Sequence, residues 1–532
     1  MSGLPLAKRV IEQFEKSPDI EAVIILHHGI FTFAQDGRTS YERMIDYVGR
    51  AETYIKERTE KKSLLTRRPD LKPPKNTGSS LAGFAQTVRG ACAHIISKNR
   101  LRRFYVETRT APDLADASLA KEALQICNSG VLTPDHVIRT KNKMVYIESV
   151  PENDNELKNF VNQTIDDFNN DYHRYFNSHL AARGVEQKEL DPYPRLFLVA
   201  GMGLVALGFT RKDACIAADI GEYTIRAKLR AAALGEYAPI SDSHIFDMEY
   251  WSPQQKKLDK SSCLPLQGQV AFITGSAGAI GFGIAKQLIN AGAVVMISDI
   301  DRSGLQKAHL ILEEKYGESR VESIICDVTD YRSVEKAFET TSLKLGGIDI
   351  VVPNAGIAYV SKIEEIDPDK LDQVIAVNFK GTFNVIKASI PVFKRQGTGG
   401  NIVVISSKNV FDPGLAFGAY SASKAGAHQI SKIAALELAE LGVRVNMINP
   451  DAVFGDEEIS SKLWDLIGPE RMKSRGLDAK GLKEYYRNRN LLKAPVLAEH
   501  VGNAVVFFAS GQTPTTGASL PVDGGIPAAF PR

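Results

Sequence analysis

Six short apolar runs between residues 269 and 450 each stop abruptly at a polar cluster, and this repetition constrains the fold more than any other feature of the chain. Residues 269–274 run into Gly275-Ser276-Ala277-Gly278-Ala279-Ile280-Gly281, residues 293–298 into Asp299, and residues 322–326 into Asp327-Val328. Residues 349–353 end at Asn354-Ala355-Gly356, residues 401–405 at Ser406-Ser407, and residues 444–448 at Asn449-Pro450. Runs this apolar, without alternation, suit strands covered on both faces, and helical patterns separate them. The expected fold class is therefore α/β, a doubly wound parallel sheet. Sheets of this kind bind ligands outside the carboxyl ends of their strands, where these clusters fall.

The chemistry at those ends is specific. Small residues from Gly275 to Gly281 let the backbone close on a pyrophosphate at the start of the next helix. Asp299, about 20 residues further on, is placed to accept from ribose hydroxyls and to repel a 2′-phosphate, so NAD is expected over NADP. Asp299 as a cap for the helix beginning near Ser303 is the alternative. Downstream, Tyr420-Ser421-Ala422-Ser423-Lys424 puts a tyrosine and a lysine one helical turn apart on one face. A free phenol titrates near ~10, and a lysine ammonium beside it is expected to draw that value down. A serine hydroxyl from the 406–407 cluster can donate to a carbonyl oxygen or to its alkoxide. Together these groups take a proton from an alcohol while a hydride leaves its carbon. Tyr and Lys at this spacing also fit an amphipathic helix start, and it is their position among the strand ends that favours chemistry.

From about residue 264 to its end, the chain resembles the short-chain dehydrogenase/reductase family, with a Rossmann-type fold. The resemblance implies that Gly275, Ser276, Ala279, Ile280 and Gly281 hold the cofactor pyrophosphate. Asp299 is implied at the ribose, Asp327 and Val328 at the adenine, and Asn354, Ala355, Gly356 and Pro450 elsewhere on the cofactor. Ser407, thirteen residues before Tyr420, matches the catalytic serine. Tyr420 matches the acid/base, Lys424 the residue that binds the ribose and lowers the tyrosine pKa, and Asn378 the asparagine that props the lysine. Ala279 replaces the usual middle glycine, and Pro450-Asp451 the usual Pro-Gly. The segments NPDAVF, GPERMKSRGL, EYYRNRNLLK and TTGASLPVDGG are similar to the dehydrogenase half of bifunctional rhamnulose-1-phosphate aldolase/short-chain dehydrogenases. That likeness implies a small hydroxy-aldehyde or sugar-derived alcohol as substrate, carbohydrate catabolism as setting, and a dimer or tetramer as assembly. Residues 454–495, with Trp464, Tyr485 and Tyr486, are expected to form the substrate lid.

Ahead of this region, residues 22–26 read as a strand leading into His27-His28-Gly29, and a helix is expected from an N-cap at Ser40. The run ILHHGIFTFAQDGRTSYERMIDYVGRAE resembles part of the class II aldolase/adducin fold, in which His28 would match one zinc ligand. The family's other two ligands come from a His-x-His segment, and Met1 falls after its place. A catalytic zinc takes three protein ligands, so no metal site is expected. Residues 61 to about 90, rich in Lys, Arg, Pro and Ser, read as a linker. Helices are expected over 84–98 and 117–127, and strands over 104–107 and 144–147. The run from Leu196 overlays the run from Ala22, with Met202 opposite His28 and Gly203 opposite Gly29. Residues 76 to about 250 thus read as a degenerate second aldolase-like copy. The expected division is 1–60, 61–260 and 261–532.

Composition excludes several classes. A formal net charge of +2 leaves no footprint for nucleic acid or an acidic membrane surface. The cysteines at 92, 127, 215, 263 and 326 form no CxxC pair, which fits buried free thiols in a reducing compartment. No run approaches the roughly 18 apolar residues of a membrane span, so a cytoplasmic protein acting on a small molecule is expected. Two other functions stay open: a scaffold that binds NAD without turnover, and residual zinc-dependent aldolase activity in the N-terminal part.

Overall fold

The computed structural model describes residues 4–59, 66–97, 100–184, 186–235, 237–256, 264–455 and 457–530. The chain divides into two compact units. One comprises Met1–Thr77, Glu107–Gly208 and Asp213–Ser261, and the other Gly78–Val106, Phe209–Lys212 and Ser262–Arg532.

The second unit is built on a seven-stranded sheet. Its strands are β1 (Val270–Thr274), β2 (Val294–Asp299), β3 (Val321–Ile325), β4 (Ile350–Val352), β5 (Gly400–Ile405), β6 (Val443–Pro450) and β7 (Ser519–Val522). They lie in the order 3-2-1-4-5-6-7 and every neighbouring pair is parallel. The expected doubly wound sheet is therefore present, with β7 as a strand the sequence reading had not assigned. The order reverses between β1 and β4, so a crevice opens beyond their carboxyl ends. All residues of β1, β4 and β5 are buried, because helices cover both faces. Helices Ala279–Asn290 and Ala498–Ala509 pack so closely that a Cβ at Gly283 would stand 2.5 Å from the Ala498 Cβ.

Helix Thr77–Ala91 also contributes to this unit. Its Arg89 is buried against Asp349, just ahead of β4, with Nη2–Oδ2 at 2.6 Å and Nη1–Oδ1 at 3.1 Å. Arg89 further donates to the carbonyls of Phe104 and Gly268, and Arg103 Nε lies 3.0 Å from Asp349 Oδ1. Burial would raise the Asp349 carboxyl, but Arg89 and Arg103 hold it below the usual range.

The first unit contains two hairpin–helix modules of the same design. Ala22–Ile25 pairs antiparallel with Gly29–Thr32 and leads to helix Gly37–Thr59, while Leu196–Val199 pairs with Gly203–Gly208 and leads to helix Arg211–Leu234. Ile25 faces Gly29 as Val199 faces Gly203, so the two turns correspond residue for residue and Met202 sits where His28 does. The second hairpin lies in a four-stranded sheet with Tyr105–Arg109 and Val145–Ile147. A long helix, Asp154–Arg183, is capped by the Asn153 side chain and ended by Gly184 at φ +59°.

Several local expectations are corrected. Helix Gly37–Thr59 is capped by Asp36, whose Oδ1 accepts from Thr39 N at 2.9 Å, and Ser40 instead ties the helix to Thr32. The helix expected over 84–98 starts at Thr77, inside the supposed linker, and stops at Ala91. Residues 94–97 are then drawn into a hairpin with 100–102. The helix expected over 117–127 is two, Pro112–Ser118 and Ala123–Asn128, with Leu119 closing the first. Cys92, Cys127 and Cys326 are buried and Cys215 is half-buried, while Cys263 lies outside the described residues. Among the described residues no helix is long and apolar enough to cross a membrane.

Candidate active site

The crevice at the carboxyl ends of the strands is a cavity of about 1010 Å³. At one side, Thr274 ends β1 and the chain turns through Gly275 at φ +67°, where a Cβ would meet Ala355 Cα at 2.8 Å. A side chain there is excluded both by conformation and by space. Asn354 locks the turn from β4, its Nδ2 donating to the carbonyls of Thr274 (2.8 Å) and Gly275 (3.1 Å). Thr274 Oγ1 in turn accepts from the amides of Asn354 and Ala355. Helix Ala279–Asn290 begins at the cavity wall behind an N-cap, Gly278, that has no capping side chain. Its amino end is thus left to an anionic ligand.

Asp299, at the end of β2, lines the same wall. Its carboxylate accepts from Ala277 N at 2.9 Å and Asp301 N at 3.0 Å, which fixes it across the glycine turn. The capping alternative is overturned, because Asp301 caps the following helix, accepting from Ser303 N and Gly304 N. Lys462 Nζ binds Asp301 at 2.7 Å and stands 3.9 Å from Asp299. Asp327 spends one oxygen on Thr329, through both amide and hydroxyl, and Val328 lies against Gly381. Ala279, Ile280, Gly281, Asp327, Val328, Asn354, Ala355, Gly356 and Pro450 all line the cavity. Ser276 is not among the lining residues: fully buried, it turns its hydroxyl to Ile273 O at 3.0 Å.

The cluster at the other side is carried by helix Gly418–Glu437 and the end of β5. Tyr420 and Lys424 line the cavity together with Ser407, whose hydroxyl draws the phenol pKa down. Ser406 is diverted by a 3.2 Å contact to His428 Nδ1, so the two adjacent serines have different partners. Asn449, from β6, holds the Ser407 carbonyl at 3.0 Å. Asn378 does not line the cavity but clamps Ile357, accepting from its amide and donating to its carbonyl, and also donates to Ser423 Oγ. A Cβ at Gly356 would stand 3.3 Å from Asn378 Oδ1 and 3.4 Å from Lys424 Nζ, so both polar groups converge on that glycine. The turn carrying Asn378, Ala376–Lys380, is π-helical, a widening that often accompanies functional positions and leaves no simple sequence signature.

Electrostatics differ from expectation in one respect. Lys424 Nζ donates to Ile405 O at 2.8 Å rather than to the phenol, and burial pushes its pKa down to about 8. The Tyr420 phenol is raised rather than lowered: desolvation pushes it up, the Ser407 hydroxyl draws it down, and the Asp451 carboxylate pushes it up again. Asp451, where the family has glycine, is gripped by Arg489 through Nε at 3.1 Å and through Nη2. Arg489, Arg471 and Arg475 line the cavity from the segment expected to be the lid, as do Trp464 and Tyr486. Phe454 and Trp464 stack at 4.5 Å, with Tyr486 edge-on to the indole. The arginines were not singled out from sequence, although 471 and 475 are spaced for one helix face.

A short chain dehydrogenase family model matches residues 269–462, and a model described as Aldolase class II, second domain, matches residues 79–258. The chain is 30% identical over 537 residues to the Uncharacterized oxidoreductase YuxG of Bacillus subtilis (strain 168), covering 100% of this chain and 76% of that protein. It is 33% identical over 275 residues to D-threitol dehydrogenase of Mycolicibacterium smegmatis, covering 51% of this chain and 98% of that one. It is 35% identical over 266 residues to the 4-formylbenzenesulfonate dehydrogenase TsaC1/TsaC2 of Comamonas testosteroni, covering 49% and 98% respectively. The chain belongs to the short-chain dehydrogenase family, oxidoreductases that act on CH–OH groups with a nicotinamide cofactor, and carries a class II aldolase second domain ahead of the dehydrogenase.

Proposed function

We propose that the protein is an NAD-dependent dehydrogenase that interconverts a small hydroxy-aldehyde or sugar-derived alcohol and its carbonyl product in carbohydrate catabolism. The observation that carries this reading is the gathering of Ser407, Tyr420 and Lys424 at one side of a single cavity, with Asp299 and the glycine turn on its walls. The D-threitol dehydrogenase among its relatives supports a polyol-type substrate. The cramped glycine turn and the uncapped helix fit a dinucleotide pyrophosphate, and the Asp299 carboxylate favours ribose hydroxyls over a 2′-phosphate. When bound, the nicotinamide supplies the hydride acceptor or donor.

The chain's own residues do the rest. Ser407 Oγ holds the substrate oxygen, and its hydroxyl favours the charged form of Tyr420. Tyr420 takes the alcohol proton during oxidation and returns it to the alkoxide during reduction. Lys424, tethered to Ile405 O, would hold a ribose hydroxyl of the bound cofactor. Asn378 fixes the Ile357 backbone and Ser423 beside the lysine. A homo-oligomer in the cytoplasm completes the reading.

The test is reduction of NAD, followed by absorbance, with lactaldehyde and a panel of small polyols. Turnover is expected with NAD in preference to NADP, falling by at least about 10³-fold in Tyr420→Phe, the loss of a general base with its positioning contacts. NAD binding without turnover of any alcohol by wild-type protein would overturn the reading and leave a cofactor-binding scaffold.

A further inference from the structure

Arg471 lies on helix Lys462–Arg475, is only 8% exposed, and lines the cavity. Its Nη2 donates to Leu415 O at 3.2 Å, while its Nε is buried without a hydrogen-bond partner. Among the described residues it has no carboxylate partner. Of the carboxylates in the lining, Glu365 and Glu470 are exposed and Asp451 is held by Arg489. An always-charged guanidinium held out of water without a counter-ion is unfavourable unless an anion joins it.

Its neighbours strengthen the case. Arg475, half-buried on the next turn, also has no carboxylate partner among the described residues and lies over the Tyr485 ring at 4.7 Å. Arg489 lies over Tyr486 at 4.2 Å. Burial pushes the Arg471 guanidinium down, and the like charges of Arg475 and Arg489 add to this against the opposing influence of Tyr485 and Tyr486. This excess of positive charge borders the reacting end of the cavity, because Arg471 stacks on Phe417 at 4.0 Å and Phe417 meets Tyr420 edge-on at 5.9 Å. Phe417 and Tyr485 hold the Arg471 and Arg475 guanidinium planes by their faces, and the donors not spent on Leu415 O are left for an oxyanion.

We propose that the substrate carries an oxyanion, a carboxylate or a phosphate, that is bound by Arg471 with Arg475 beside it while its CH–OH group faces Tyr420. The inference rests on the dehydrogenase reading above and narrows its substrate to acidic members of the class: hydroxy acids, sugar acids or sugar phosphates.

The experiment uses the full chain in two arms. In the first, kcat/KM with NAD is compared for neutral polyols, the matching aldonic acids and the matching polyol phosphates. At least one anionic series should exceed the neutral one by about 10-fold or more, mainly through KM, and which series wins decides between carboxylate and phosphate. Arg471→Gln and Arg475→Gln should collapse that ratio, since a desolvated charge-assisted contact contributes about 2–5 kcal/mol, or roughly 30-fold and upwards. In the second arm, inorganic phosphate and malonate are titrated at constant ionic strength and thermal stability is followed. Stabilisation by one of them is expected in wild type and should be lost in Arg471→Gln.

Turnover that favours neutral polyols, with no stabilisation by either anion, overturns this inference and leaves the dehydrogenase reading standing. Anion stabilisation that Arg471→Gln abolishes, without turnover of any alcohol, sustains the anion site and overturns the dehydrogenase reading. Should Arg471→Gln fold poorly, the wild-type substrate ratio and Arg475→Gln still decide the matter.

Discussion

At the residue scale, Asp451 works against the tyrosine it faces. Its carboxylate raises the Tyr420 phenol, while Arg489 neutralises part of that effect by pairing with it. The proposed oxidation requires the phenol to give up its proton before it can take one from the alcohol, so kcat/KM for oxidation should rise along an alkaline limb that reports Tyr420. Asp451→Asn removes a negative neighbour and frees the Arg489 charge, and both changes favour phenolate. The limb should therefore move to lower pH by about one unit, a shift of the size a nearby charge produces. A pH profile of wild type and variant with one alcohol checks this. An unmoved limb would mean that Asp451 and Tyr420 are not electrically coupled. Tyr420 and Lys424 were legible as a pair because one helix sets their spacing, whereas the family resemblance, not local pattern, selected Ser407 over Ser406. The lysine's actual partner, Ile405 O, was not, since it is a backbone group far away in sequence.

At the scale of elements, the legible parts are those with a strong local period. β1 to β6 announce themselves as apolar runs with polar ends, and their parallel order follows from the helices between them. The short pieces at 94–97 and 100–102 do not, because a paired hairpin gains its stability from partners rather than propensity. Nor does the helix Lys462–Arg475, which contains Gly468-Pro469 and so disguises its helical pattern. Helix Thr77–Ala91 was read too late in the chain and as part of another region, since nothing local reveals that Arg89 meets Asp349, 260 residues away. That ion pair yields a prediction for the element. Arg89→Met leaves the Asp349 carboxylate buried with Arg103 and the Val270 amide as its remaining partners. Removing one member of a buried pair costs about 3–5 kcal/mol, so the urea midpoint of the dehydrogenase unit should fall well below that of wild type. Because paired Asp349 titrates below its ordinary value, the lost stability should shrink as pH falls through the acid range, where the carboxylate is protonated in either protein.

At the scale of the whole molecule, the compact unit that carries the chemistry is not a continuous piece of chain. It draws Gly78–Val106 from within the aldolase-matching region, and that segment supplies Arg89, Arg103 and the buried Leu81, Phe84 and Val88. A fragment of residues 262–532 would contain every strand of the large sheet and all the candidate catalytic groups. It would nevertheless leave the Asp349 carboxylate without Arg89 and Arg103, and would bare the apolar surface that helix Thr77–Ala91 covers. The fragment should therefore be far less stable than the unit in the full chain. The same substitution should then act with opposite sign in the two settings. In the full chain, Asp349→Asn strands the buried Arg89 and Arg103 charges and should lower the urea midpoint. In the 262–532 fragment it removes an unpaired buried charge and should raise the midpoint, or the yield of soluble folded protein. Urea titrations of the two chains, each with and without Asp349→Asn, measure this reversal. If the substitution destabilised both chains alike, the hydrogen bond from Val270 to Asp349, at 2.8 Å, would outweigh the ion pairs, and the segment from Gly78 to Val106 would act on the sheet through apolar packing alone.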